Sequence, residues 1–347
     1  MLPYLLMLGF VMFWIVLEKH ALNRTSFWLP LFVLTVFAGF RSDQVGTDTT
    51  NYTRNFTHQM NAEYFQFNDD IEIGYQLLEY AILNFTSQYF WLLTITSFVI
   101  VYCYLKIIKK YSVNYWFSVF LFITLGIYTF FFNGLRQGMA MAIFTLAIPY
   151  LLEKRLIPYL LWCAIASLFH VTALFIIPFY FIVNLRIKPT YKVFATFIGS
   201  LLVSGLLVSY ISSTNDRYES YASASTEAGG FLTIGFYVAL MILLLAARYI
   251  YKIKDVAFQK LLTFYASGVV FVIPLAILGT NPSGPQRLLA YFTWTLVLIV
   301  PVVFKQINNV YLYMLSIVVF LLYFILTTSR FSDLSPYLLN PTFKVLL

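Results

Sequence analysis

FFFNGLRQGMAMA, residues 130–142, joins two apolar runs, 116–132 and 134–152, with almost no loop between them. Each run is long enough, as a helix, to cross the roughly 30 Å of hydrocarbon in a bilayer, which takes about 20 mostly apolar residues. Working outward, further runs lie near 2–17, 26–40, 88–105, 193–211, 231–250, 259–279, 286–304 and 310–327. Lipid offers backbone groups no hydrogen bonds, so repeated runs of this length predict helices that satisfy their own N–H and C=O groups. Composition agrees, because 61 % of the 347 residues are hydrophobic and 10 % are charged, which a soluble globule does not show. The expected fold class is all-α, a polytopic integral membrane protein of about 10 to 12 spans in a single transmembrane domain over residues 1–347.

Residues 156–183 are too long for one perpendicular span, and basic residues flank both ends: Lys154 and Arg155 before, Arg186, Lys188 and Lys192 after. With both flanks cytoplasmic, the segment enters and leaves on one side as a short two-helix hairpin turning near Ser167 to Thr172. His170 is then expected at the tip, facing the outer side. Once the hairpin is included, the connections alternate, and lysines gather on the inner ones. The outer cations are Arg41, Arg54, Arg136, Arg217, Arg287 and Arg330, with Lys344 the single lysine among them. Arginine's planar fork binds phosphate or carboxylate through two parallel hydrogen bonds, so the outer face has the chemistry of anion recognition.

The net charge of +8 is thereby assigned to topology and calls for no nucleic-acid partner. Cys103 and Cys163 lie inside apolar runs, which leaves neither a disulfide framework nor a metal cluster to build. No metal or other cofactor is expected. The Walker A loop, G-x-G-x-x-G, H-E-x-x-H and G-x-S-x-G are all missing, which argues against ATP-driven transport.

The longest polar connection, 41–85, is expected outside as a loop ending in an interfacial helix, and 212–230 as a second outer loop. Glu72, Gln76 and Glu79 recur at helical spacing beside a stripe of Ile73, Leu77 and Ala81, the pattern of an amphipathic helix lying on the membrane. Arg41 and Asp43 stand where the second run ends, close to hydrocarbon, where an unpaired charge is costly. They are expected to pair with each other, with another helix or with a ligand.

Within 130–142, Asn133 is expected to cap the next helix and place Gly134, Leu135 and Arg136 at its first three positions, where free N–H groups favour an anion. A guanidinium gains nothing from that dipole, so Arg136 needs another partner, and an anionic substrate is a candidate. Gly134, Gly138 and Ala142 repeat every four residues, as a close helix–helix approach requires. NPSGPQRLLAYF, 281–292, repeats the arrangement: Pro285 suits a first helical position and puts Arg287 in the first turn. Two helix starts, each bearing Arg beside Gln, carry the donors to cradle a diphosphate.

Taken in order, GFRSDQVGTDTTNY (39–52), EIGYQLL (72–78), LRQGMAMAI (135–143), YLLEKR (150–155) and ASLFHVTAL (166–174) resemble the EpsG-like branch of the Wzy-type bacterial polysaccharide polymerases. NPSGPQRLLAYF extends the resemblance. It implies a multi-pass glycosyltransferase of the inner membrane, working on its periplasmic or outer side, that joins oligosaccharide repeat units carried on undecaprenyl diphosphate. The partners implied are those lipid-linked oligosaccharides and membrane lipids, with a chain-length regulator as a further one. His170, Asp48 and Arg136 are the expected catalytic residues, with His170 or Asp48 as base. Arg41, Asp43, Tyr52, Glu72, Tyr75, Gln137, Gln286 and Arg287 are expected to hold substrate. Two other activities would use similar residues: a ligase moving glycan from lipid to another acceptor, and a transporter of lipid-linked oligosaccharide.

Overall fold

The computed structural model describes residues 1–214, 229–278 and 284–344. Of the expected outer loop over 212–230, residues 215–228, with Arg217, lie outside the described residues, as do 281–283 of the second arginine motif. In chain order the helices are α1 (Leu2–Leu22), α2 (Trp28–Gly39), α3 (Thr49–His58), α4 (Ile73–Leu83), α5 (Tyr89–Tyr111), α6 (Tyr115–Thr124), α7 (Ile127–Phe130) and α8 (Leu135–Thr145). They continue with α9 (Ile148–Leu152), α10 (Leu156–Ser167), α11 (Ile177–Asn184), α12 (Pro189–Thr214), α13 (Gly229–Ile250), α14 (Val256–Ile277), α15 (Ala290–Thr293), α16 (Leu296–Ile307), α17 (Val310–Arg330) and α18 (Pro341–Lys344). Among the described residues strand-type pairing is confined to one antiparallel bridge, Arg41 with Leu339.

This is a multi-pass, all-α membrane protein. Among the described residues five helices are long and apolar enough to span alone: α1, α5, α14, α17 and residues Phe231–Ile250 of α13. The pair Gln286–Thr293 and Leu296–Ile307 makes a sixth, bent by 47°. Other expected runs are helical but split, for local reasons. The 116–132 run breaks at Gly126, whose φ of 75° is left-handed and suits glycine. The 134–152 run breaks after Thr145, four residues before Pro149, whose ring would clash with the carbonyl at 145 in a continuous helix.

The chain forms two compact units, one of Met1–Ile148, Leu160–Leu174 and Asn309–Leu347, the other of Pro149–Tyr159 and Phe175–Asn308. In the first, α2 and α8 pack on α5, α1 on α2 and α6, and α17 on α6. The polar segment is anchored there by Phe56 of α3, Ile82 and Leu83 of α4, and Leu92 of α5, which bury one another. Each such side chain contributes about 1.5–3 kcal/mol by leaving water.

In the second unit α14 is the central helix, packed by α11, α12, α13 and α16. The base of the expected hairpin lies there: Asn184 Nδ2 donates to the Leu151 carbonyl at 3.2 Å and the Tyr159 hydroxyl to the Ile176 carbonyl at 2.9 Å. That antiparallel pairing is what a helical hairpin requires. Its helices separate at Ser167, and His170 lies in the turn before the 3-10 segment Val171–Ile176.

Candidate functional site

The helix over 73–83 forms where the polar stripe predicts it, but its faces are turned. Tyr75, Gln76 and Glu79 are buried, whereas Ile73, Leu77 and Tyr80 are exposed. An interfacial helix in contact with lipid is stable this way only if the buried polar side chains find partners. Gln76 does: its amide donates to the carbonyls of Asn68 and Ile71 and accepts the Asn68 N–H. At the helix start, Glu72 reaches two other parts of the chain. Its Oε2 lies 2.5 Å from Arg136 Nη1, and its Oε1 accepts the N–H of Val171, at the hairpin tip, at 3.1 Å.

Arg136 is paired with the chain's own Glu72, 64 residues away. Both side chains keep little more than a tenth of their surface, 11 % and 13 %. A pair so buried is held by direct contact rather than by the long-range field that orders surface charges. His170 Nδ1 lies 3.9 Å from Glu72 Oε1, in reach of the same carboxylate. Three expected site residues, from three separated segments, thus meet at one carboxylate in the first unit.

The hairpin tip is fixed against α4 by backbone as well. The N–H of Gly74 donates to the Leu168 carbonyl at 2.8 Å, and a Cβ on Gly74 would lie 2.7 Å from that oxygen. Only glycine allows the two chains to come this close. Within the tip, the Thr172 N–H donates to His170 Nδ1 at 3.3 Å, and the Thr172 hydroxyl lies 2.8 Å from the same nitrogen. A backbone N–H can only donate, so Nδ1 accepts, and the neutral ring carries its proton on Nε2.

One residue the sequence reading passed over sits behind this group. Glu79, two turns along α4 from Glu72, is 8 % exposed, and burial pushes its carboxyl up to about 7 against the opposing pull of the Tyr75 hydroxyl and Arg136. Tyr52 places its ring edge-on to Tyr75, with centroids 6.1 Å apart. The signal was present in the spacing of 72, 76 and 79, but spacing does not say which stripe is inside.

The stretch after α2 packs on the turn that leads into α8. Arg41 is completely buried, its Nη1 donates to the Ala38 carbonyl, and its guanidinium lies over the Phe132 ring at 4.1 Å. Its Nε and Nη2 have no hydrogen-bond partner among the described residues. The ion pair allowed for Arg41 and Asp43 does not form. Arg41 turns inward onto aromatic faces, which attract a cation, and Asp43 accepts the Ser42 hydroxyl at 2.9 Å. Arg41 is therefore enclosed by the fold.

The Phe131–Gly134 turn that leads into α8 is gripped by the same stretch. Thr49 Oγ1 donates to the Phe132 carbonyl at 2.7 Å and Thr47 Oγ1 to Asn133 Oδ1 at 2.9 Å. Because Thr47 occupies Asn133, that side chain does not cap α8. Gly134 is the cap residue instead and makes no side-chain cap bond, and Arg136 is the second helical residue. Gly138 likewise serves a different purpose from the one its spacing implies: a Cβ there would meet the Phe131 side chain at 2.4 Å, so the preceding turn fills its space. Asp48 stands at the N-cap of α3 between Thr47 and Thr49, and Gln137 is buried beside Arg136 on α8.

The C-terminal segment, which hydrophobicity alone does not single out, straps this stretch in place. Ser42 and Gly46 donate backbone N–H groups to the carbonyls of Leu338 and Asp333, at 2.8 and 2.9 Å, and Asn340 donates to Phe40 at 2.8 Å. Tyr337 stacks on Phe37 and Phe343 on Phe40.

Gln286 and Arg287 belong to the second unit. Pro285 does hold a first position, but of a five-residue 3-10 turn, Pro285–Leu289, in which Gln286 is buried and Arg287 half-buried. Among the described residues no three of His, Cys, Asp and Glu gather as metal ligands. A sequence model of the EpsG family matches residues 24–339, a span that takes in every expected site residue. No curated protein and no solved structure matches.

Proposed function

The chain belongs to the EpsG family, Wzy-like polysaccharide-polymerase-related membrane proteins of exopolysaccharide biosynthesis, and we propose that it polymerises oligosaccharide repeat units carried on undecaprenyl diphosphate at the outer face of the bacterial inner membrane. The observation that carries this reading is the meeting of Arg136, His170 and Glu72 at one buried carboxylate. A polymerase of this kind must stabilise a leaving diphosphate, and a guanidinium with an imidazole N–H beside it supplies donors for that charge.

In the reaction proposed, a hydroxyl oxygen of the acceptor unit attacks the anomeric carbon of the donor glycan. The bond from that carbon to the diphosphate breaks, and its electron pair leaves on the lipid diphosphate. Arg136 holds the departing charge and Glu72 fixes the guanidinium, since an arginine tied at one edge keeps its remaining N–H groups in a set direction. His170 donates from Nε2 to a phosphate oxygen. The hydroxyl proton goes to Asp48, which stands at the N-cap of α3.

The test is purified protein in liposomes with defined lipid-linked repeat units. A ladder of products longer by whole repeats is expected. Movement across the bilayer without elongation would make the protein a transporter, and transfer only to a different acceptor would make it a ligase.

A further inference from the structure

Away from this site, the second unit has a groove of about 290 Å³ between α12, α13 and α14. Along most of its length the walls are apolar, with Phe194, Phe197 and Val270 among them. At one end are Thr190, Thr263 and Arg248. The residues follow one face of each helix, so the groove runs lengthwise, polar at the start of α12 and apolar beyond. Phe194 is 64 % exposed, so the groove opens sideways. In a membrane protein that opening faces acyl chains.

The polar end carries uncompensated positive charge. Among the described residues Arg248 makes no ion pair. Lys192 Nζ donates to the Val183 carbonyl and Lys260 Nζ to the Leu152 carbonyl, each at 2.7 Å, and both lysines feel the charge of Lys154. Their partners are neutral carbonyls, and neither lysine is in the groove's lining, where Arg248 is the charged residue. The carboxylates nearby in sequence are engaged elsewhere, Glu153 with Arg155 and Asp255 with the Phe258 N–H at the start of α14.

We propose that this groove binds one anionic phospholipid of the bilayer, with its phosphate at Arg248 and Thr190 and part of one acyl chain against Phe194, Phe197 and Val270. The volume is at the lower end of ligand pockets, enough for a chain segment and not for a whole lipid. Charge selects the headgroup: a zwitterionic lipid would bring its own cation toward Arg248, the one cation in the groove's lining. The proposal is independent of the catalytic reading.

Native mass spectrometry of the delipidated full chain, titrated with phosphatidylglycerol or phosphatidylcholine, tests it. One phosphatidylglycerol is expected to bind in preference to phosphatidylcholine. A basic side chain near a membrane surface contributes about 1 kcal/mol to anionic-lipid binding, so Arg248→Gln should weaken binding about fivefold. Arg248→Lys should restore most of it, and Lys252→Gln, on the exposed connection, should change it little. Val193→Trp should block the groove, with thermal stability measured to confirm folding. Equal retention of both lipids, unchanged binding in folded Arg248→Gln and Val193→Trp, displacement by glycerol phosphate alone, or preference for an isoprenyl phosphate would each overturn the proposal.

Discussion

Replacing Glu72 by Gln tests whether the Glu72–Arg136 pair holds α4, α8 and the hairpin tip together. The pair is 2.5 Å long with side chains 11 % and 13 % exposed, and Glu72 also accepts the Val171 N–H. Breaking a fully buried pair by removing one partner costs about 3–5 kcal/mol, because the other charge is left uncompensated. Here a tenth of the surface is retained, and the amide oxygen that replaces the carboxylate still accepts from Val171, which brings the expected cost to about 2–3 kcal/mol. Arg136→Gln should cost a similar amount, while Glu72→Gln with Arg136→Gln leaves two amides able to bond each other. The double variant should therefore lose less than the two singles combined, with a coupling of about 2 kcal/mol. Unfolding in mixed detergent micelles, followed by tryptophan fluorescence, measures all four proteins. A coupling below about 0.5 kcal/mol, the magnitude of an exposed surface pair, would refute the pairing as a structural tie.

Gly74→Ala should destabilise by about 1–3 kcal/mol in the same assay, since its Cβ would press on the Leu168 backbone carbonyl rather than on a movable side chain. Glu79→Gln should change the pH dependence of stability: with the folded carboxyl raised to about 7 from its ordinary value near 4.5, the folded state holds the extra proton between those values. The native protein accordingly loses stability as pH rises from 4.5 to 7, by on the order of 3 kcal/mol, and Glu79→Gln should flatten that slope; an unchanged slope would remove Glu79 as its source. For topology, an impermeant thiol reagent on intact cells should label Cys at Thr57 and Val171 but not at Lys188 or Lys254, and labelling of Lys188→Cys from outside would invert the hairpin.

The sequence was informative where a local signal has one structural meaning. With both basic flanks of 156–183 cytoplasmic, a hairpin was expected, and the helices separate at Ser167 with His170 in the turn. Glu72, Gln76 and Glu79 specified a helix with two unlike faces. They did not specify which face turns inward, because the periodicity is the same whether the surroundings are water or lipid. The buried orientation depends on Asn68, Ile71 and Arg136 being available as partners. Pairing across 64 residues has no period at all, so the contact of Arg136 with Glu72 was not legible in the sequence. The surroundings of Arg41 were hidden for a related reason: the aromatic rings of Phe131 and Phe132 lie some 90 positions along the chain. The C-terminal strap binds through backbone hydrogen bonds and ring stacking, neither of which has a period in the sequence.

The central claim, that Arg136 holds the leaving diphosphate through its planar fork, is tested most directly by the elongation rate of purified Arg136→Lys on lipid-linked repeat units. The variant keeps the charge and the attraction of Glu72, so folding should survive, and thermal stability would verify that. Loss of one preorganised transition-state contact costs about 3–4 kcal/mol, and the account predicts a rate lower by roughly 10²- to 10³-fold. Elongation within a few-fold of the unmodified protein would make Arg136 a generic positive charge and contradict the account.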